Sequence, residues 1–172
     1  VYLDGIINII DVIEMVNWIL YGLPDSPSIQ FIKSFGGSSG DKSISGEQTS
    51  DGGYIMTGYT DSFGSGNRDI WIIKSNSEGI EEWNQTFGGS NGSSHGNYVK
   101  QTSDGGYIII GHTSIFGSSS SMWLIKTDSN GAEEWNQTFS GNGDDSGWSV
   151  EQTIDGGYII AGLRDFLEDG NQ

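Results

Sequence analysis

The chain has no cysteine among its 172 residues, so disulfides, thiolate metal sites and cysteine nucleophiles play no part in its fold or chemistry. Proline is almost as scarce, with two residues. Basic side chains are few: seven Lys+Arg stand against 23 Asp+Glu, a formal charge of −16. A surface of that sign is repelled by phosphate backbones and anionic membranes, which argues against nucleic acid as a partner and leaves solubility or the attraction of cations as the use of the acidity. Long hydrophobic runs are missing too. The most apolar stretch, residues 1–23, contains no Lys or Arg and is interrupted by Asp4, Asp11 and Glu14. It therefore fits neither a membrane span nor a signal peptide, and any export signal is expected upstream of Val1.

What the chain does have is 28 glycines, six tryptophans and seven tyrosines, a composition of many short aromatic strands joined by tight turns. It also repeats itself. The block from Gln48 to Ile55, QTSDGGYI, recurs unchanged from Gln101 to Ile108 and with one difference, Ile154, from Gln152 to Ile159. EEWNQTF at Glu81–Phe87 returns at Glu133–Phe139, and Trp71-Ile72-Ile73-Lys74 pairs with Trp123-Leu124-Ile125-Lys126.

Each unit reads as four β runs separated by turn chemistry. In the second unit the strands are expected near 97–102, 107–113, 121–127 and 133–139. Ser103-Asp104-Gly105-Gly106 should close one hairpin and Asp128-Ser129-Asn130-Gly131 another, because these residues tolerate positive φ. Tyr107-Ile108-Ile109-Ile110-Gly111 is nearly continuous in apolar residues, as expected of an inner strand covered on both faces.

The segment from Trp123 through Lys126, the Asn130-Gly131 turn and on to Trp135 resembles the strand–turn–strand pattern of the quinoprotein-like and WD40-like propeller superfamily. The whole unit resembles repeats of bacterial and archaeal surface proteins. The resemblance implies an all-β fold of four-stranded antiparallel blades of a β-propeller, preceded by one N-terminal α-helix. Residues 30–35 are then the last strand of a blade, 36–87 and 88–139 two blades, and 140–172 part of another, making just under three. Closed propellers use about four to eight, so the expectation is a piece of a larger array, interrupted at both ends.

Asn8 is expected to cap a helix running through Leu20, with Gly22 and Pro24 ending it and residues 24–29 serving as linker. Leu3-Asp4-Gly5-Ile6-Ile7-Asn8-Ile9-Ile10-Asp11 resembles the second half of a dockerin calcium loop and its helix. Calcium loops of twelve place ligands at positions 1, 3, 5, 7, 9 and 12 around a glycine at 6. The resemblance puts Asp4 at five, the Ile6 carbonyl at seven, Asn8 at nine and Asp11 at twelve, with Tyr2 where an Asn or Asp is expected. It implies weak calcium binding by this partial loop, residues 1–23 as a partial dockerin-like module, and Ile9 and Ile10 as contacts to a cohesin-type scaffold. An amphipathic capping helix that happens to begin with Asp-Gly is the other reading.

Catalytic residues in a repeat protein should break the repeat. Glu81/Glu82 and Glu133/Glu134 do not, and read as solvated strand positions rather than an acid/base pair. His95 and His112 occupy different repeat positions and read as separate surface or loop histidines. Asp144 and Asp145 do break it, and read either as an oxygen-rich cation site or as a solvated loop. Sequons at Asn84, Asn91 and Asn136 are candidate glycosylation sites in an exported protein.

The expected function is non-catalytic: an extracellular or cell-surface propeller for binding or display, held by a dockerin-like module on a cohesin-type scaffold, with polysaccharide or surface glycan as the candidate ligand. Binding is expected at the loops near 61–68, 88–97, 114–120 and 140–147. A secreted glycoside hydrolase and a quinoprotein redox enzyme are the rivals, although no ring of PQQ ligands is visible.

Overall fold

The computed structural model describes residues 32–65, 67–90, 92–115 and 119–164. The chain divides into two compact units, Val1–Lys33 and Ser34–Gln172. The expected helix, the partial calcium loop with Asp4, Ile6, Asn8 and Asp11, and the contact residues Ile9 and Ile10 lie outside the described residues, as does Asn91.

The described part of the second unit is all β. Its strands are β1 (Asp41–Gln48), β2 (Tyr54–Thr60), β3 (Asp69–Ser75), β4 (Glu81–Phe87), β5 (Ser94–Gln101), β6 (Tyr107–Thr113), β7 (Ser121–Thr127), β8 (Glu133–Phe139), β9 (Asp145–Gln152) and β10 (Tyr158–Arg164). They form two four-stranded antiparallel meanders, β1-β2-β3-β4 and β5-β6-β7-β8, and a hairpin of β9 and β10. Of residues 30–35, expected as the last strand of a blade, 32–35 are described and carry no strand.

The repeated block explains the first hairpin of each unit. In Thr102-Ser103-Asp104-Gly105-Gly106, Asp104 Oδ1 accepts from Thr102 Oγ1 at 2.6 Å and from the Gly106 amide at 3.0 Å. Gly105 takes the positive φ of +86° that this turn requires. Asp51 receives the same bonds at 2.5 and 2.9 Å. The glutamines beginning the second and third blocks reach the preceding unit: Gln101 Oε1 accepts from the Ser50 amide at 2.8 Å, and Gln152 Oε1 from the Ser103 amide at 2.9 Å. One short motif therefore folds its own turn and fixes the next sheet against it.

Between the sheets the side-chain period of two sorts the apolar residues into layers. Ile55, Ile70 and Ile72 of the first sheet meet Val99, Tyr107, Ile109, Trp123 and Ile125 of the second. On the opposite face of the second sheet, Ile108, Ile110 and Leu124 meet Val150. That is why Tyr107 to Gly111 is continuously apolar: both faces of β6 are covered.

A bulge accounts for the paired glutamates. The β3/β4 ladder slips between Lys74 and Ser75, so Glu82 has no partner of its own and turns back toward Lys74. Lys74, 3% exposed, donates to Glu82 Oε2 at 2.7 Å and pairs with Asp51 Oδ2 at 2.9 Å. In the second sheet Lys126 holds Glu134 at 2.8 Å and Asp104 at 3.0 Å in the same way. The glutamates expected to be merely solvated are, at one position of each pair, the counter-ions of a buried lysine. Burial pulls the Lys74 and Lys126 ammonium groups down, but these bonds outweigh it and hold both above the usual lysine range.

Candidate functional site

The residues that break the repeat gather where the sheets meet. Tyr59 is the last residue but one of β2, Arg68 immediately precedes β3, His95 is the second residue of β5, and His112 is the last but one of β6. Their counterparts in the other units are unlike them: Lys42 and Ser146 stand where His95 does, and Ser120 where Arg68 does.

His95 and His112 are direct cross-strand partners. Counting back from the Gln101–Tyr107 pair would set His112 opposite Gly96; a bulge between Gly96 and Tyr98 shifts the ladder by one residue and brings the two rings together. Their centroids lie 4.7 Å apart. Tyr59 covers the other side of His95 at 4.9 Å, and the Arg68 guanidinium lies 3.9 Å above the Tyr59 ring. The stack Arg68–Tyr59–His95–His112 thus runs from the first sheet into the second. Reading the histidines separately missed the site because the signal that joins them, the bulge, has no residue signature of its own.

Hydrogen bonds fix the members. Arg68 grips Asp61 with two bonds, Nε to Oδ1 at 2.9 Å and Nη2 to Oδ2 at 3.1 Å, and its Nη1 lies 3.3 Å from His95 Nε2. Arginine can only donate, so His95 Nε2 accepts and the neutral ring carries its proton on Nδ1. His112 Nδ1 lies 3.2 Å from Ser146 Oγ on β9. The bulged residue, Asn97, donates to the Gly147 carbonyl at 2.8 Å, tying the cluster to the third sheet.

The electrostatics follow from this crowding. Burial, then the neighbouring His112 and Arg68, push the His95 imidazole down to about 4. His112 is lowered by burial. Asp61 is held below the usual carboxylate range by its bonds from Arg68. Beside the stack, Asp61, Asn67, Arg68 and Ser93 line an open polar recess of about 410 Å³. A second groove of about 340 Å³ runs past Phe63, Trp71, Glu81 and Asn84.

The other expected site residues are held by local hydrogen bonds. Asp144 Oδ1 accepts from the Ser120 amide at 2.7 Å, and Asp145, 2% exposed, accepts from the Gly141 amide at 2.5 Å. Both carboxylates are bound to loop amides, and among the described residues no group of three or more His, Asp or Glu is arranged to hold a metal ion. Asn84 and Asn136 are exposed on β4 and β8, the outer strands of their sheets. Each accepts from an indole, Trp71 or Trp123, at 3.1 Å and donates to Glu81 or Glu133 at 2.6 Å.

Protein-family models and curated proteins alike gave no match to this chain. The geometry of the recess is therefore what bears on function.

Proposed function

We propose that this chain is a non-catalytic binding module of the β-propeller type, working outside the cell, and that it holds a neutral, hydroxyl-rich ligand such as a glycan in the recess at Asp61 and Arg68. The observation that carries this reading is the state of Arg68. Its guanidinium has five N–H donors; three are engaged by Asp61 and His95, which leaves two for a ligand on a plane already fixed by Tyr59.

Arg68 and Asp61 are 33% and 34% exposed in their side chains, so the pair is ordered yet reachable. A preformed site of this kind spares the ligand the entropy of ordering it. The two charges cancel locally, and the overall −16 repels polyanions, which favours an uncharged partner. A hydroxyl suits the pair because it accepts from arginine while donating to aspartate, and Asn67 and Ser93 supply both functions beside it. The dockerin-like segment would hold the module on a calcium-dependent, cohesin-bearing scaffold.

Screening the full chain against an array of neutral oligosaccharides tests the reading. Binding is expected, with Arg68→Ala and Asp61→Asn each weakening it at least tenfold. Equal binding by both variants would move the ligand elsewhere, and an array without a single ligand would refute the proposal. Capture by cohesin that persists in a calcium chelator would refute the attachment.

A further inference from the structure

The recess at Arg68 lies between two connections whose neighbouring sheets are both complete. Asp61, Asn67 and Arg68 come from the segment joining β2 to β3, and Ser93 from the segment joining β4 to β5. The Ser94 amide donates to the Arg68 carbonyl at 2.8 Å, and the Asp61 amide to the Gly40 carbonyl at 2.9 Å, so backbone bonds pin the two walls. Ser93 is held in turn by Ser114, whose Oγ accepts from the Ser93 amide at 3.0 Å.

None of the described residues lining the recess is aromatic or aliphatic. Tyr59, the ring against Arg68, is already engaged by the guanidinium at 3.9 Å and by the His95 ring at 4.9 Å. The exposed Phe63 lines the other groove, with Trp71. A residue inside a sugar chain spends two of its oxygens on linkages and offers chiefly the apolar face of its ring, which needs an aromatic or aliphatic surface to cover it. A residue at a chain end keeps an edge of adjacent hydroxyls free. That edge finds its complement here. Each Asp61 oxygen accepts one bond from Arg68, at 2.9 and 3.1 Å, and has capacity for a second, while Arg68 keeps two N–H donors and Asn67 and Ser93 both donate and accept.

On the reading of the recess as a glycan site, on which this step rests, we propose that it holds the terminal residue of a neutral oligosaccharide edge-on and not the interior of a polysaccharide. Two neighbouring hydroxyls of the terminal ring each donate to an Asp61 oxygen and accept from Arg68. The volume of about 410 Å³ falls toward the lower end of what small-ligand pockets occupy, in keeping with a chain end. Because the Asp61–Arg68 pair is aligned before the ligand arrives, selectivity among sugars lies in how the neighbouring hydroxyls are set on that ring.

The test titrates the full chain by calorimetry with ladders of neutral gluco-, manno- and galacto-oligosaccharides, about two to eight residues long, each also prepared with methyl ethers on the hydroxyls of one chain end or the other. For the ladder that binds, Kd per chain should stay within about twofold from the shortest member to the longest. Capping one of the two ends should weaken binding at least tenfold. Asp61→Asn should cause a similar loss with the uncapped ligand and no further loss with the capped one, since both changes remove the same bonds. An affinity that climbs tenfold or more with length, or tolerance of caps at both ends, would overturn the proposal while leaving a glycan site at Arg68 in place. Failure of every ladder to bind would overturn both.

Discussion

Acidifying the protein from pH 7.5 to pH 5 should weaken it through His95 in particular. The imidazole ordinarily titrates at 6.5 and is pushed down to about 4 by burial, by His112 stacked on it and by Arg68 at its Nε2. Asp61 opposes that shift, Lys42 adds to it, and Tyr59 covers the remaining face. A folded pKa below the unfolded one contributes stability that is complete above pH 6.5 and is lost as pH falls from there toward 4. Linkage over that window gives a loss of about 2 kcal/mol by pH 5 and a limit of ~3 kcal/mol below pH 4. For a domain of this size the loss by pH 5 lowers the melting temperature by roughly 4–8 °C. The depressed aspartates Asp51 and Asp104 shed their stabilisation below 3.8, so the interval above pH 4 reports on the histidines. The assay is thermal or urea unfolding of the unaltered chain and of His95→Gln at both pH values. The variant loses ring contacts and melts lower throughout; what matters is its slope with pH, which should flatten. Parallel curves for the two proteins would refute the reasoning.

The lysine cages give an asymmetric pair of outcomes. Removing both counter-ions of Lys126, with Asp104→Ala and Glu134→Ala together, strands a buried cation and should cost about 3–5 kcal/mol in urea unfolding, whereas Lys126→Met frees two half-exposed carboxylates and should stay within about 1 kcal/mol. Gly111→Ala should destabilise by about 3 kcal/mol or prevent folding, since the added Cβ would lie 1.8 Å from the His95 carbonyl oxygen; soluble expression and circular dichroism read this directly. Asn97→Ala breaks the bond to the Gly147 carbonyl and should speed amide exchange in β9 while leaving β3 unchanged.

Much of the fold was legible because the repeat is written in residues with narrow conformational preferences. The expected strands at 107–113, 121–127 and 133–139 are β6, β7 and β8, and the Asp-Gly-Gly and Asn-Gly turns close the hairpins through positive-φ glycines. What escaped were consequences of register. A single bulge decides that His95 faces His112, and another that Glu82 turns to Lys74 while Glu81 holds Asn84. Bulges depend on how two strands settle against each other, so neither strand announces them alone. The first strand of the second sheet began three residues earlier than expected, at Ser94, because Ser94, Gly96 and Asn97 are buried against neighbouring sheets despite their small polar character.

The bulge in each first strand is also a place where the repeat can change without disturbing the ladder. All three ladders skip one residue there, and the skipped residues are Ile44, Asn97 and Trp148: one aliphatic, one amide, one indole. A residue outside the ladder owes nothing to its opposite number, so it can be exchanged while the surrounding strands keep their alignment. Copies of this unit can thus diverge at one fixed address, and an engineer adding a label or a new contact to the array has the two exposed positions, Ile44 and Trp148, available, while Asn97 is committed to the Gly147 carbonyl.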